Sequence, residues 1–268
     1  MLVDYHTHTP LCAHALGEPA EYVQRAAALG LAEIGISEHS PWMIQAPDEK
    51  LAPTDEEFAQ VVDAVQALQR RHNHAASPLH VRLGIEMDFV PSRLHRARDY
   101  LAKYPWDYVI GSIHHLEKWG IDNPTYRAEY ERRDLWQIYE EYFAAVRQMA
   151  ETGLFDTIGH VDVIKKFGYR PAGDLRPLYD QLARTFEETG VVVEINTSGR
   201  DKDAREFYPA PPLLDALARA GVPITLGSDA HRPREVGRYF AEARALLLSL
   251  GIDKIVAFEA RQRRFIPL

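Results

Sequence analysis

The chain contains 268 residues, of which 46% are hydrophobic and 26% are charged. This composition excludes a disordered chain and provides enough apolar residues for a large buried core. The formal net charge is −8, from 39 acidic and 31 basic residues. This balance argues against a protein that coats nucleic acid, because such proteins need clustered Lys and Arg.

The single cysteine and the lack of long apolar segments predict a cellular location. Cys12 has no second cysteine with which to form an internal disulfide, and such usage is typical of a reducing compartment. The first residues lead directly into a polar motif rather than a secretory signal, and no stretch approaches the ~20 apolar residues of a membrane span. We therefore expect a cytoplasmic protein without a membrane partner.

Short apolar segments and amphipathic segments alternate along the chain. The short segments predict β-strands in the N-terminal segment and at residues 33–37, 81–85, 107–113, 155–159, 191–195 and 223–228. The amphipathic segments predict helices at residues 19–29, 55–71, 91–103, 134–151, 174–189, 211–220 and 235–250. The pattern predicts seven strand-helix units.

The ends of these helices carry stop and start signals. At the start of the second helix, Thr54 and Glu57 have the spacing of a capping box. Five helices end in a glycine that an apolar residue follows, and glycine best tolerates the left-handed backbone that stops a helix. The five glycines are Gly30, Gly153, Gly190, Gly221 and Gly251.

Several predicted strands are apolar on both faces, as at residues 108–111 and 191–195. Such strands are typical of a parallel sheet that helices cover. Parallel strands with helical crossovers wind in one direction and can close into a barrel, which commonly fills this length as one domain. The sequence therefore predicts an α/β barrel that forms a single domain over residues 1–268, with functional groups at the carboxyl ends of its strands.

Histidines and acidic residues follow six of the seven predicted strands. A single histidine there more often makes an ordinary hydrogen bond, but so many at one end of a barrel indicate a metal centre, since unpaired buried charge is unfavourable. In Asp4-x-His6-x-His8, two imidazoles share one face of an extended segment. The other members are Glu38, His39, Glu86, His114, His160, Asp229 and His231.

The types of ligand limit the kind of metal site. Imidazole and carboxylate suit zinc, iron or manganese, and they do not choose among these metals. Glu86 can bridge two cations, which an imidazole cannot do, so the site is predicted to hold more than one metal. The sixth strand ends instead in Asn196-Thr197-Ser198-Gly199-Arg200, a segment better suited to holding a substrate.

These motifs resemble those of the polymerase and histidinol phosphatase (PHP) superfamily in order and spacing. The matching series is Asp4-x-His6-x-His8, His14, Ser37-Glu38-His39, Gly84-Ile85-Glu86, Ser112-Ile113-His114, Gly159-His160 and Gly227-Ser228-Asp229-Ala230-His231. The resemblance covers nearly the whole chain. It implies a distorted (β/α)7 barrel of the TIM-like, PHP type that binds two to three divalent metal ions.

The resemblance also implies how the metals are held. Glu86 would bridge the first and second metals. The implied ligands are His6, His8, Glu86 and Asp229 for the first metal, Glu86, His114 and His160 for the second, and His14, His39 and His231 for the third.

Within the superfamily, the chain most resembles the histidinol-phosphate phosphatases. The resemblance lies in His6-Thr7-His8-Thr9-Pro10-Leu11-Cys12-Ala13-His14 and in Glu194-Ile195-Asn196-Thr197-Ser198-Gly199, which Tyr208-Pro209 follows. It implies hydrolysis of L-histidinol phosphate, a small phosphorylated substrate, to L-histidinol and inorganic phosphate in histidine biosynthesis. A hydroxide that bridges two metals would attack phosphorus, and Asp229, His231 or His115 would protonate the leaving group.

Three other functions remain open at this point. The same metals could serve a phosphodiesterase or nuclease of the superfamily, or a protein-tyrosine phosphatase of the same fold. A non-catalytic metal-binding module is the third alternative, and the complete series of ligands disfavours it. The sequence also leaves open whether the chain forms a homo-oligomer.

Residues beside the predicted ligands receive substrate-binding roles. Ser198, Arg200 and Lys202 are expected to contact the substrate, and arginine suits phosphate because its donors bind two oxygens at once. A place at the surface is the alternative for Arg200. His115 points to the opposite face of its strand from His114, and we expect it on the substrate side.

Five further side chains receive supporting or neutral roles. Asp4 and Glu38 are expected to orient neighbouring histidines rather than bind metal. Cys12 is expected to be a buried, inert thiol, and Lys165-Lys166 a solvated pair.

Overall fold

The computed structural model describes residues 1–42, 50–117 and 119–268. Its strands are, in chain order, β1 (Val3–Asp4), β2 (Glu33–Ile36), β3 (His80–Asp88), β4 (Tyr108–Ser112), β5 (His115–Leu116), β6 (Trp119–Gly120), β7 (Thr157–Ile158), β8 (Val192–Asn196), β9 (Ile224–Gly227), β10 (Lys254–Glu259) and β11 (Gln262–Pro267). Its helices are α1 (Pro19–Ala28), α2 (Asp55–His72), α3 (Leu94–Leu101), α4 (Glu129–Arg132), α5 (Leu135–Glu151), α6 (Arg176–Thr189), α7 (Pro211–Arg219) and α8 (Phe240–Ser249).

Seven parallel strands form one sheet whose spatial order follows the chain: β1, β2, β3, β4, β7, β8, β9. The two outer strands approach each other, because the Tyr5 backbone N–H donates to the Leu226 carbonyl at 3.1 Å and Thr7 forms a parallel bridge with Ala230. The sheet is therefore a nearly closed seven-stranded barrel with helices between its strands. The predicted (β/α)7 fold is confirmed.

Each predicted strand of the barrel is present, and each predicted helical segment contains a helix. The last helix is shorter than expected, because α8 begins only at Phe240. Gly237 and Tyr239 both have positive φ, at +68° and +58°, and this left-handed backbone interrupts the predicted 235–250 segment. The second helix begins at its predicted capping box: Thr54 Oγ1 accepts from the Glu57 N–H at 3.2 Å.

The structure contains two hairpins and a short helix, α4, that the sequence analysis did not predict. The antiparallel pair β5–β6 lies beside the carboxyl end of the barrel and contains His115. The antiparallel pair β10–β11 follows α8. Its turn is made by Ala260 and Arg261, which both have positive φ, and this turn carries none of the Asn or Gly residues that normally announce a tight hairpin.

The amino end of the barrel is filled by a buried polar network under β10–β11. Arg82 Nε donates to Glu33 Oε2 at 2.8 Å, and Arg264 also pairs with Glu33. The Tyr5 hydroxyl donates to Glu33 Oε2 at 2.6 Å and accepts from the Phe258 N–H at 3.0 Å. These bonds close the end of the barrel that lies opposite the histidines.

None of the helices in the described parts of the chain has the length and apolar character needed to cross a membrane.

Candidate metal centre

The predicted ligands converge at the carboxyl end of the barrel in a largely buried cluster, in which His14 is exposed and Asp229 and His231 are half-buried. His6 and His8 follow β1, and both are 0% exposed. Glu86 belongs to β3 and is 1% exposed. A buried carboxylate among imidazoles is unfavourable unless positive charge or a metal compensates it.

Glu86 lies at the centre of the cluster, and its two oxygens face different histidines. Oε1 lies 2.9 Å from His160 Nε2 and 3.4 Å from His114 Nε2. Oε2 lies 3.3 Å from His6 Nε2 and 3.6 Å from His8 Nε2. One carboxylate therefore divides the histidines into two groups, one on each oxygen.

Asp229 completes the group on Oε2. Its Oδ1 lies 3.3 Å from His8 Nε2 and 3.8 Å from His6 Nε2. The residue has a left-handed backbone, with φ of 52°, and Arg238 Nη2 donates to its carbonyl at 2.9 Å. Ser198 Oγ donates to Asp229 Oδ2 at 3.2 Å. These contacts hold the carboxylate against the two imidazoles.

A further group of imidazoles lies next to His8. The ring of His231 lies 4.3 Å from that of His8 and 4.7 Å from that of His14. The ring of His39 lies 4.3 Å from His8 and 5.6 Å from His14. His39 also faces the first group, because its Nδ1 lies 2.9 Å from Glu86 Oε2. The structure thus brings all nine predicted ligands to one rim.

Three carboxylates stand behind three of the histidines. His6 Nδ1 lies 2.8 Å from Glu194 Oε1, and His114 Nδ1 lies 2.5 Å from Asp88 Oδ1. His8 Nδ1 lies 3.5 Å from Glu38 Oε1. A carboxylate on Nδ1 fixes the proton there and turns the Nε2 lone pair towards the cluster.

Glu38 and Asp4 were both expected to orient neighbouring histidines, and only Glu38 contacts a histidine ring. Glu38 contacts the ring of His8, as expected of an orienting residue. Asp4 instead accepts from the backbone N–H groups of Ser228 and Gly237, each at 2.9 Å. Asp4 therefore anchors the loop that carries Asp229 rather than a histidine ring.

The charges of the cluster shift one another's pKa strongly. Burial opposes ionisation of Glu86, yet the facing imidazoles, His6 foremost, hold its pKa well below the usual range. Burial likewise disfavours the imidazolium of His8, but the adjacent carboxylates of Asp229 and Glu38 raise its pKa to about 9. The pKa of His114 rises to about 10 because the charge of Asp88 outweighs burial. Positive charge is thus stabilised on His8 and His114, whereas burial lowers the pKa of His14 to about 4 and that of His231 well below its usual value.

The donor atoms fit divalent cations. Among the described residues, His6 Nε2 and His8 Nε2 are buried without a hydrogen-bond partner, although they lie 3.3 Å and 3.6 Å from Glu86 Oε2. Buried polar atoms are nearly always satisfied, and lone pairs that converge in this way are satisfied by a cation. Imidazole and carboxylate are donors that zinc, iron and manganese accept.

A cavity of about 480 Å³ opens onto the cluster. Besides the ligands, its wall contains His115, Ser198, Lys202, Lys166, Asp122 and Arg238. Burial, then the charges of Lys166 and Arg238, lower the pKa of Lys202. Cations gathered beside a metal cluster are suited to an anionic ligand.

Arg200 is not part of this wall in the described chain. Its Nη2 pairs with Glu242 at 3.1 Å, and its side chain is 48% exposed. Its guanidinium lies 5.9 Å from the ring of Phe207. The substrate-contact prediction for Arg200 therefore disagrees with its placement, because the 197–201 turn points this side chain towards α8.

The Lys165-Lys166 prediction is wrong. Lys165 is 2% exposed, and its Nζ lies 2.9 Å from Asp162 and donates to the Phe207 carbonyl at 2.7 Å. Lys166 pairs with Asp122 at 3.0 Å at the cavity wall. Cys12 is buried as expected, and burial raises the pKa of its thiol to about 12.

Several functional neighbours carry weak sequence signals. Asp88 is the last residue of β3, so a search for acids at strand ends finds it. Glu194 lies inside β8, and Arg238 lies beyond the ligand motifs. A search for charged residues directly after predicted strands therefore finds neither of them. Their proximity to the cluster depends on how the barrel closes.

The PHP domain family model matches residues 4–198, and a PHP-associated model matches residues 214–245. These ranges include every predicted ligand of the cluster. The chain belongs to the PHP domain family.

Relatives with assigned activities are similar over nearly the whole chain. A probable histidinol-phosphatase of Deinococcus radiodurans is 42% identical over 262 residues, which cover 97% of this chain and 98% of that protein. The histidinol-phosphatase of Bacillus subtilis is 24% identical over 260 residues, which cover 87% of this chain and 95% of that protein.

A solved structure has the same fold. The histidinol phosphate phosphatase of Lactococcus lactis, crystallised with zinc, L-histidinol and phosphate, superposes with a TM-score of 0.80. It is 22% identical, and the match covers 98% of both chains.

Proposed function

We propose that this protein is a histidinol-phosphatase, a metal-dependent phosphomonoester hydrolase that converts L-histidinol phosphate to L-histidinol and inorganic phosphate. One observation carries the chemistry: the two oxygens of Glu86 face two separate groups of histidines inside a cavity that also contains basic residues. The substrate follows from the relative that is 42% identical over nearly its full length. The two family matches lie within one barrel, and we propose that it forms one domain.

The divalent metals are proposed to number two or three and to be zinc, iron or manganese. His6, His8, Glu86 and Asp229 would hold the first. Glu86, with His114 and His160, would hold the second. His14, His39 and His231 would hold the third. When bound, such cations polarise the phosphoryl group and lower the pKa of water enough to supply the nucleophile.

The remaining residues of the cavity would bind and orient the phosphate. Lys202 and Ser198 line the cavity, and a lysine ammonium and a serine hydroxyl both donate to phosphate oxygens. Lys166 and Arg238 add positive charge to the same wall. We propose Lys202 as the main phosphate contact and assign Arg200 no contact, because Arg200 pairs with Glu242 at the surface.

Hydrolysis also requires a proton for the departing alkoxide. His115, Asp229 and His231 all line the cavity, and we propose that one of them delivers it. His115 has the advantage that it lies on β5, outside the group of nine ligands. A His115→Gln variant that loses turnover on an alkyl phosphate but keeps it on a phosphate with a good leaving group would identify the donor.

Phosphate release tests the substrate assignment. Metal-loaded protein is assayed for phosphate release from L-histidinol phosphate, a nucleoside monophosphate and a phosphotyrosine peptide. A linear dinucleotide is assayed for release of mononucleotide, because hydrolysis of a diester frees no inorganic phosphate. We expect a kcat/KM for L-histidinol phosphate that is at least about 100-fold above the others, since contacts to the amine and imidazole add to those with phosphate. Equal rates on every monoester would contradict the assignment. Preference for the dinucleotide would indicate a phosphodiesterase, and preference for the peptide would indicate a protein-tyrosine phosphatase.

A further inference from the structure

Glu194 contacts ligands of two proposed metal subsites at once. Its side chain is 2% exposed. Oε1 accepts from His6 Nδ1 at 2.8 Å, and Oε2 accepts from the backbone N–H of His160 at 2.8 Å. His6 belongs to the group on Glu86 Oε2, whereas His160 belongs to the group on Oε1. One carboxylate behind the cluster thus joins both groups.

A chain of hydrogen bonds continues from Glu194 to the opposite side of the first subsite. Asn196 Nδ2 donates to Glu194 Oε2 at 3.1 Å. The Ser198 N–H donates to Asn196 Oδ1 at 3.0 Å, and Ser198 Oγ donates to Asp229 Oδ2 at 3.2 Å. The path therefore begins at one proposed ligand, His6, and ends at another, Asp229.

The barrel leaves room for this carboxylate at a specific place. A Cβ at Gly227 on β9 would overlap Glu194 Oε1, so glycine is needed where β8 and β9 bring these residues together. Glu194 carries no metal-facing oxygen of its own in this arrangement, because both oxygens accept from N–H groups. Its contacts act on the ligands rather than on the substrate.

We propose that Glu194 is a positioning residue that sets the geometry of both metal subsites. By accepting from Nδ1 it fixes the tautomer of His6 and directs the Nε2 lone pair towards Glu86 and Asp229. By accepting from the His160 backbone it fixes where that imidazole leaves β7. The proposal rests on the metal centre of the proposed function, but it does not depend on the identity of the substrate.

Zinc affinity of the Glu194→Gln protein tests this role. Glutamine keeps the length of the side chain but offers one acceptor oxygen and places an N–H against a donor. Loss of such an orienting partner lowers metal affinity by roughly 10- to 100-fold. We expect that loss in chelator-competition titrations, together with an altered visible spectrum of the cobalt-substituted protein. Glu188→Gln, an exposed glutamate of α6, is the matched control and should bind zinc as the native protein does.

A merely structural role would give a different result. The metal-free Glu194→Gln protein should melt at a lower temperature than the metal-free native protein, because a buried donor is left unpaired. Zinc affinity is therefore compared at a temperature where both metal-free proteins are folded. Native zinc affinity and an unchanged cobalt spectrum in the folded variant would overturn the proposal. Because no phosphate ester is used, failure of the substrate assignment leaves this measurement intact.

A measurement on the native protein does not require the variant to fold. In the zinc-loaded protein labelled with nitrogen-15 in its histidines, the His6 signals should show a protonated Nδ1 and a metal-bound Nε2. A His6 signal with metal on Nδ1 contradicts the proposal, since that nitrogen could not then donate to Glu194.

Discussion

The two ends of the barrel deal with buried charge in opposite ways. At the amino end, Glu33 is surrounded by positive partners from the chain itself, because Arg82 and Arg264 both pair with it. At the carboxyl end, Glu86 and Asp229 face imidazoles, some of whose nitrogens have no hydrogen-bond partner in the part of the chain that the structure describes. At the amino end, the buried carboxylate is therefore neutralised by side chains of the protein itself.

The two ends differ in a way that distinguishes a structural ion network from a functional one. Both ends contain buried carboxylates, so burial by itself does not identify the site. The difference lies in whether the lone pairs find donors within the chain. Those of Glu33 do, whereas His6 Nε2 and His8 Nε2 have no partner among the described residues, and these atoms are the ones that a cation would satisfy.

Replacement of Glu86 should produce the largest effect. A neutral amide bridges cations poorly, so Glu86→Gln should lower metal content and kcat together. We expect kcat to fall by more than about 100-fold, since loss of an outer partner alone lowers activity by about 10- to 100-fold. Metal analysis and phosphate release are measured on the same preparation. Full metal content with native turnover would contradict the proposal that Glu86 is a ligand of two metals.

Replacement of Glu33 should damage the other end without affecting the metals. Glu33→Gln leaves the buried Arg82 guanidinium, which is 3% exposed, without its main counter-ion. Breaking a buried ion pair in this way lowers the free energy of unfolding by about 3 kcal/mol. Denaturant unfolding measures that loss, and metal analysis should return the native stoichiometry. A loss of metal would show that the two ends are coupled.

Metal removal should destabilise the protein in a pH-dependent manner. Zinc at 100 times its dissociation constant adds about 2.7 kcal/mol. The metal must displace protons from His8 and His114, whose pKa values are about 9 and about 10, so zinc affinity should rise with pH up to that range.

The metal-free protein should show the opposite trend. Because these two pKa values lie above the usual 6.5, the protonated imidazoles stabilise the metal-free fold at pH 6.5 and below. That contribution is lost as pH rises through 9 to 10. Melting temperatures with zinc and with chelator, taken at pH 6, 7.5 and 9, measure both trends. A zinc-induced shift that shrinks with pH would contradict this account.

The smallest effects concern the basic residues near the cavity. Lys202→Ala should raise KM by about 10-fold, equivalent to about 1.4 kcal/mol, while metal content stays unchanged. Arg200→Ala is the matched control, because Arg200 pairs with Glu242 outside the cavity. Its KM should stay within about 2-fold of the native value, since an exposed ion pair contributes little. A larger rise in KM for Arg200→Ala would indicate that Arg200 contacts the substrate.

The ligands were predictable because strand ends share one location in a parallel barrel. His6, Glu86 and His160 could be grouped from their positions after apolar segments, without any knowledge of distances. The orienting partner of His6 could not be found in this way. Glu194 lies within a strand, where an acid gives no linear signal, and only the approach of β8 to β1 across the barrel interior reveals its contact.

The long basic side chains were the least predictable. Lys165 and Lys166 are neighbours in sequence, yet one is buried against Asp162 and the other lines the cavity beside Asp122. Lys202 reaches the wall of the cavity, whereas Arg200 turns away from it. The partners of a flexible cation come from distant segments, and sequence spacing does not specify them.

Sequence alone was enough to predict the alternation of barrel strands and helices and the identity of the residues that meet at the carboxyl rim. These features depend on local periodicity and on one topological rule, that parallel strands end on the same side. Closure of the barrel decided the rest: how the oxygens of Glu86 are shared, which carboxylate stands behind each histidine, and which cations face the cavity. Those outcomes depend on distances between residues far apart in the chain, and the contacts that stabilise them form only when the barrel closes.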